Sequence, residues 1–556
     1  MEKRALIAFV LSMLVFIGWS YFFSPTTQPP TSPPTQAENE TGPGPVAAPA
    51  GQTAATPAAP TAATLSSPAV ADRPARDVTV KTKLFTAVFT EMGGRLKSLT
   101  VNKYRAAIEP SSPPKELVYV ENPADLPLGL TWGKNNQIDL GRGLFQAEVE
   151  EINLAETGQT GVLAMTHQSP AGLEVTRKYH FDADSYLIKL EVTVRNLSAA
   201  PFDDNLVLSL ASEAITKKET YAGFGAYLDG TLLSEIKPDK LEDELSAFRG
   251  RDYKLTWAAY EDQYFLAAIL PRDQEHTRLA AEPYAKKGIR INFISAPLVL
   301  APQAEQTVEF TVYYGPKDYK ILKSLNNELG RSIYFGWFDI LSKPLLILMT
   351  WLYGFVGNYG LVIILVTVMI KIIFWPLTAK SYRSMKAMQK LQPKIMKLRE
   401  KYKDDREGLN RETMQLYKAY QVNPLGGCLP MIIQIPVFIA LYRLLDYSLE
   451  LRHAPFWLWI NDLAAPDRLF HFGFSIPMME PPAGIPVLTL LMGASMLLQQ
   501  KMTPTPGDPI QAKVMMLMPI FFTFIFINFP SGLVLYWLVN NILSIGQQTL
   551  INRKTT

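Results

Sequence analysis

One cysteine in 556 residues, Cys428, excludes an intrachain disulfide and any zinc or iron–sulfur site built on cysteine ligands. Charge is also scarce: Asp, Glu, Lys and Arg make up 19% of the chain, against roughly 25% in soluble domains. The five histidines form no HExxH pair, and the chain has neither a Gly-x-Ser-x-Gly turn nor a phosphate-binding loop. These absences argue against a metalloprotease, a serine hydrolase and a nucleotide-driven machine. No cofactor and no catalytic residue are expected. What the chain has in excess is apolar residues, 48% of the total, crowded into the first 23 and the last 225 positions. That distribution describes a membrane protein carrying one large soluble domain.

Lys3 and Arg4 precede the apolar run Ala5 to Phe23, close to the ~20 residues a spanning helix needs. The run ends in Trp19, Tyr21, Phe22 and Phe23, which suit a membrane interface better than a signal-peptidase site. Residues 1–23 are therefore expected to be an uncleaved anchor with a cytoplasmic N-terminus. Residues 24–76 are rich in Pro, Ala and Thr and nearly devoid of bulky apolar side chains. They cannot bury enough surface to offset ordering, so they are expected to be a disordered tether.

From Asp77 to about residue 325 the pattern becomes short alternating runs, such as Val78 to Thr82, Leu187 to Val194 and Val308 to Tyr314. Period-2 alternation with few helical stretches predicts a large antiparallel β-sandwich, placed in the periplasm by the anchor's orientation. His167, His180 and His276 stand alone in it, and lone histidines in a sandwich are ordinarily packing or surface residues. The domain is expected to bind or to scaffold.

The apolar stretch from Pro344 to Trp375 is too long for one perpendicular span, and Asn358-Tyr359-Gly360 interrupts it. The expected division is an interfacial amphipathic helix over residues 330–354 and a helical membrane core over 355–556. Within the core, spans are expected at about 355–375, 425–445, 485–500, 514–529 and 533–549, six with the anchor, so that both termini are cytoplasmic. Residues 376–422 carry 12 basic and five acidic side chains, a net +7 in a chain of net +3. This loop is the positive-inside segment. Met385, Met388, Leu391, Ile395, Leu398 and Tyr402 follow helical spacing, the turn falls at Asp404 to Gly408, and Met414, Tyr417 and Tyr420 lie on a return arm. That predicts a cytoplasmic helical hairpin.

Polar residues inside the spans are expensive and mark cavities or bundle interiors. Lys371 is the only charge in its span, with Thr367 one turn away. Gln434 lies between Pro430 and Pro436, and the last span carries Tyr536, Asn540, Ser544 and Gln548 at i+4 intervals. Together they predict a shared hydrophilic groove rather than a snorkelling lysine.

Several motifs then carry a resemblance: Pro376-Leu377-Thr378, Leu391-Gln392-Pro393-Lys394, Asn423 to Pro430, Gln434-Ile435-Pro436 and Phe529 to Tyr536. Together they resemble the Gram-negative YidC membrane insertases over nearly the whole chain. The resemblance implies an inner-membrane insertase and chaperone with a five-helix core, its groove open to cytoplasm and lipid and closed to the periplasm, working alone or beside the Sec translocon. It also implies that Lys371, Thr367, Gln434, Tyr536, Trp537, Asn540 and Ser544 line the groove. Met385, Met388, Lys390, Lys394, Lys397 and Arg399 would receive clients or the ribosome. The implied partners are nascent inner-membrane proteins, the Sec translocon, the ribosome, the signal recognition particle receptor and the bilayer. Lys371 occupies a position where the family carries arginine, keeping the charge and losing the planar fork. A Sec-dependent assembly chaperone without autonomous insertion is the alternative. A secondary transporter would predict inverted repeats, which are not seen. An intramembrane protease lacks a carboxylate dyad, Asp446 being the only carboxylate in the spans.

Overall fold

The computed structural model describes residues 73–120, 122–133, 137–213, 222–285, 288–402, 405–422, 429–502 and 509–554. The expected anchor, nearly all of the tether, Asp404 at the hairpin turn and the motif residues Asn423 to Cys428 lie outside them.

Alternation becomes strand where it was expected. In Leu187–Asn196, Ile188, Leu190, Val192 and Val194 are fully buried, and the residues between them are not. Phe265–Pro271 is buried at every position, as a central strand covered on both faces must be. These belong to a nine-stranded sheet in the order Thr231–Ile236, Ala222–Leu228, Leu255–Asp262, Phe265–Pro271, Glu305–Pro316, Leu187–Asn196, Leu173–Asp182, Thr160–Gln168, Gln146–Ala147. Two five-stranded sheets complete the domain, one starting from Asp77–Thr82 and the other built around Phe202–Ser212 and Gly288–Leu300. The first packs on the large sheet through Phe89, whose ring lies 4.6 Å from that of Tyr179. The domain departs from an all-antiparallel sandwich in one place: Asp77–Thr82 pairs in parallel with Glu151–Leu154, Val80 opposite Ile152. The long stretch of chain between the two strands is what a parallel pair requires, and alternation alone does not report it.

Two short helices, α1 (Leu241–Ser246) and α2 (Tyr319–Ser324), belong to this domain. The helical half follows: α3 (Asp339–Val356), α4 (Tyr359–Lys401), α5 (Arg406–Ala419), α6 (Leu429–Tyr447), α7 (Val487–Met502), α8 (Pro509–Phe526) and α9 (Ser531–Lys554). The break between α3 and α4 has a local cause. Gly357 adopts φ +67°, the left-handed cap that ends α3, and the Asn358 side chain accepts the Leu361 amide at 3.1 Å to begin α4. The expected span start near Phe355 therefore moves to Tyr359, and Phe355 closes the preceding helix.

α4 differs more from expectation. It runs 43 residues, roughly 65 Å, through Pro376 and Pro393 without interruption. Span and first hairpin arm are one helix, not two elements divided at Pro376. Pro376 removes the N–H that would donate to the Ile372 carbonyl, and the helix continues past that one lost bond with side-chain donors on the neighbouring carbonyls. Thr378 Oγ1 donates to the Phe374 and Trp375 carbonyls, and Gln547 Nε2 reaches Trp375 O at 3.5 Å. α8 also differs, ending at Phe526 instead of 529, because Phe529 folds back to stack on Phe526 with rings 4.8 Å apart.

The β domain is fastened to the helical half at the end of α6. Gln263 donates to the Asp446 carbonyl, and Arg452 Nη2 donates to the Arg105 and Ala106 carbonyls at 2.8 and 3.1 Å. Between these contacts, half-buried Glu450 lines a small cavity with Gln263, Lys317, Phe335 and Ser448. Burial, reinforced by nearby Asp318 and only partly offset by Lys320, pushes its carboxyl up to about 7. A raised carboxyl means that the folded state holds the proton more tightly than the unfolded chain, so its contribution is complete below the ordinary range near 4.5 and is lost as pH rises through about 7. The melting temperature of the chain should fall between pH 5 and pH 8 by more than that of Glu450→Gln, in which the acid form is imitated permanently. Equal slopes for the two proteins would refute the assignment.

Candidate functional site

α9 is the hub of the helical half: it packs on α4, α6 and α7. Its sequence, Ser531 to Lys554, has apolar residues on all sides interrupted by amides and hydroxyls, so each neighbouring helix meets it through at least one polar pair.

Towards α4, Lys371 Nζ donates to Ser544 Oγ at 2.7 Å, and that hydroxyl donates onward to the Asn540 carbonyl at 2.7 Å. Among the described residues no carboxylate pairs with Lys371, and the ammonium is partly buried. Towards α6, Gln434 Nε2 donates to Asn540 Oδ1 at 2.8 Å. Ile370, Lys371, Phe374, Leu377, Thr378 and Gln434 line one small cleft. Lys371, Gln434, Asn540 and Ser544 are thus brought together around a single positive charge.

Tyr536 and Trp537 continue this site as an aromatic wall. Tyr536 is buried with its ring stacked 6.3 Å from Phe438. Trp537 sits edge-on to Phe438 at 4.7 Å and to Phe526 at 5.0 Å, with Phe522 beyond. Phe438, Phe522 and Phe526 were not anticipated, since aromatics in an apolar run look like ordinary core.

Two expectations need correction. Thr367 shares a helix face with Lys371, but it is 1% exposed and its hydroxyl donates to the Ile363 carbonyl of its own helix at 2.6 Å. Its donor is used within the helix, and it is not among the residues lining the cleft. Gln548 turns away to α7, donating to Met502 O at 2.7 Å. An i+4 series advances about 40° around a helix at each step, so it has rotated by about 120° between Tyr536 and Gln548. The residue on the correct side is Gln547, three after Ser544, whose amide donates to Thr378 Oγ1 at 2.6 Å. Asn541 Nδ2 likewise reaches Ser495 Oγ on α7 at 3.0 Å. A mixed 3–4 spacing from Asn540 would have found Gln547.

The hairpin of α4 and α5 closes through Leu391, which is buried, and Lys394, which donates to Tyr420 with its ammonium 4.3 Å from the ring centre. Lys394 is therefore engaged within the hairpin. Arg399 lies beside Tyr417, Lys390 and Lys397 are exposed, and Met385 and Met388 are half-buried. Met396 and Met414 are the more exposed methionines.

Comparison with known proteins agrees along the chain. The family described as 60Kd inner membrane protein matches residues 351–556, and the YidC periplasmic domain family matches residues 77–348. A membrane protein insertase YidC of Pelobacter propionicus is 44% identical, covering 100% of this chain and 99% of its own, and that of Syntrophus aciditrophicus is 40% identical with 100% of both covered. A solved structure described as an active YidC insertase with its first transmembrane domain resolved aligns with a TM-score of 0.37 at 18% identity, covering 85% of this chain and 92% of that one.

Proposed function

The chain belongs to the YidC family of membrane protein insertases, and from that premise we propose that its uncompensated Lys371 is the element on which insertion turns. Membrane protein insertion is the activity, nascent membrane proteins are the clients and the inner membrane is the site of action. A β-rich periplasmic domain and a helical C-terminal half divide the work.

The finer reading rests on one observation: a partly buried ammonium held by a serine hydroxyl, with no carboxylate pairing with it among the described residues. An intramembrane charge is costly unless something arrives to pair with it. Lys371 draws in the acidic or polar tail of a client, and Gln434, Asn540 and Ser544 exchange their mutual hydrogen bonds for bonds to that tail. Tyr536, Trp537 and Phe438 guide the apolar helix outwards. The exposed basic face of the α4–α5 hairpin, with Lys390 and Lys397, meets the client, ribosome or signal recognition particle receptor first. With the anchor, six spans leave both termini cytoplasmic, α3 lies at the periplasmic interface, and the Sec translocon is a partner for larger clients.

The energetics require no nucleotide. Burying ~20 apolar residues yields on the order of 6 to 12 kcal/mol, against about 2.5 to 3.5 kcal/mol for each central charge. A tail with one or two charges is therefore within reach. Proteoliposomes containing only the purified chain should protect a short single-span client from protease without ATP. Protection no greater than in protein-free liposomes would leave the family activity intact but make this member dependent on Sec, and would sink the autonomous reading.

A further inference from the structure

The segment between α6 and α7, Ser448 to Pro486, is turned inside out. It holds six charged residues, Glu450, Arg452, Asp462, Asp467, Arg468 and Glu480, and none of them is exposed. Asp467 is buried and accepts from Trp459 Nε1 and the Leu488 amide. Asp462 accepts the His453 and Ala464 amides at 3.0 and 2.9 Å. Arg468 donates to the Ile527 carbonyl at 2.8 Å and to Asn528 Oδ1 at 3.1 Å. The large residues facing outwards are apolar instead, Leu458 (87% exposed), Met478 (80%), Phe470 (71%), Phe474 and Trp457, with the neutral polar residues Asn461 and Ser475 and the ring of His471 exposed among them.

Backbone conformation reinforces this. Leu458, Phe470 and Met478 have φ of +60°, +54° and +67°, a region that disfavours any residue with a Cβ. The three most exposed apolar residues of the segment are thus the ones held there in a left-handed conformation. Collapse of these side chains onto the protein would relieve both the exposure and the strain. Such a combination persists where the surroundings reward it.

The segment's position says what those surroundings are. It is seated on the turn between α8 and α9: Ser531 N donates to Ala465 O at 2.7 Å, Asn528 Nδ2 to Met478 O at 2.7 Å, and the Glu480 amide to Asn528 Oδ1 at 2.9 Å. α7 and α8 are short, 16 and 18 residues, or about 24 and 27 Å against a hydrocarbon layer of about 30 Å. With α7 and α8 read as spans, the segment seated on their ends lies at the edge of the hydrocarbon layer. Leu490 and Leu491 on α7 and Leu517 and Phe524 on α8 are exposed and apolar as well. Polar groups satisfied inwards and apolar groups turned outwards is the arrangement a low-dielectric solvent demands.

We propose that Phe470, Phe474 and Met478 form a wedge inserted among the lipids of the periplasmic leaflet, with Leu458 and Trp457 as a second contact. The proposal rests on the reading of α7 and α8 as spans. The wedge would crowd the outer leaflet beside the short helices, where a client has least hydrocarbon to cross.

The test uses the full chain carrying Cys428→Ser, with single cysteines placed by Phe474→Cys, Met478→Cys, Leu517→Cys and Val299→Cys and labelled with an environment-sensitive nitrobenzoxadiazole dye in proteoliposomes. The expected result is blue-shifted emission at 474 and 478, lost when phospholipids spin-labelled near the headgroup are included, and unaffected by iodide. Leu517 should behave as a deeper lipid site, and Val299, exposed on the β domain, as an aqueous one. Iodide quenching at 474 and 478 with Leu517 still reached by lipid would overturn the wedge and leave the spans standing. Protection from both quenchers would mean that protein covers the segment, which also overturns it. Iodide quenching at Leu517 would overturn the span reading together with the wedge.

Discussion

Replacing Lys371 by alanine should cut insertion of a client with an acidic N-terminal tail by about ten- to a hundredfold, while leaving a neutral-tailed client within about twofold of the parent protein. The asymmetry follows from the charge. An opposite charge at about 4 Å in a partly wet site is worth about 4 kcal/mol at most, and desolvation of both groups consumes part of it. A residual of about 1.5 to 3 kcal/mol corresponds to that range of rates. Removing the ammonium does not threaten the fold, since its hydrogen bond is to a neutral serine and no counter-ion is abandoned. Lys371→Arg should keep most of the acidic-client activity, because it keeps the charge that attracts the tail and an N–H donor for Ser544. Protease protection in proteoliposomes, run in parallel for the two clients, reads all of these outcomes. Equal losses for acidic and neutral clients in the alanine variant would show that Lys371 shapes the groove instead of attracting the tail.

Much of this site was legible beforehand because its residues are expensive where they stand. Lys371, Gln434 and Asn540 are conspicuous in apolar spans, and the physical cost that makes them conspicuous also forces them together. Side-chain cost says nothing of direction, however. Thr367 lies on the right face and is spent on its own helix, whereas Gln547 was passed over in favour of Gln548 by a spacing that drifts around the helix. The aromatic wall was half legible: Trp537 was reached through the family resemblance, but Phe438, Phe522 and Phe526 are indistinguishable in sequence from packing residues. In the β domain, Leu187–Asn196 could be recognised from alternation alone, a local property. The parallel partnership of Asp77–Thr82 with Glu151–Leu154 depends on chain distant in sequence and left no local trace. Pro376 misleads for the same reason. Its local tendency is to end a helix, and the contacts that α4 makes at that turn include Gln547 on Trp375 O, 172 residues away in the chain.

The largest stability effect should come from a buried ion pair in the β domain. Lys317 Nζ lies 2.8 Å from Glu261 Oε2, with side chains 10% and 0% exposed. Glu261 also accepts from Ser234 Oγ at 3.0 Å, and Gly225 beside it has no Cβ because one would come within 2.8 Å of its Oε1. Lys317→Met removes the cation and leaves a carboxylate with no access to water, which costs about 3 to 5 kcal/mol. The double variant Lys317→Met with Glu261→Gln removes both charges and keeps a group able to accept from Ser234, so it should recover most of that loss. Hydrogen exchange of the full chain locates the effect: amides of Leu255–Asp262 and Glu305–Pro316 should lose protection in the single variant and regain it in the double, while those of α9 stay unchanged. Lys317 also lines the cavity where Gln263 and Glu450 meet, so loss of protection should extend to the Tyr447–Leu451 segment, making the pair a strut of the joint between the β domain and the helical half. If the two variants lose protection equally, the pair contributes by packing alone, and the charge argument fails.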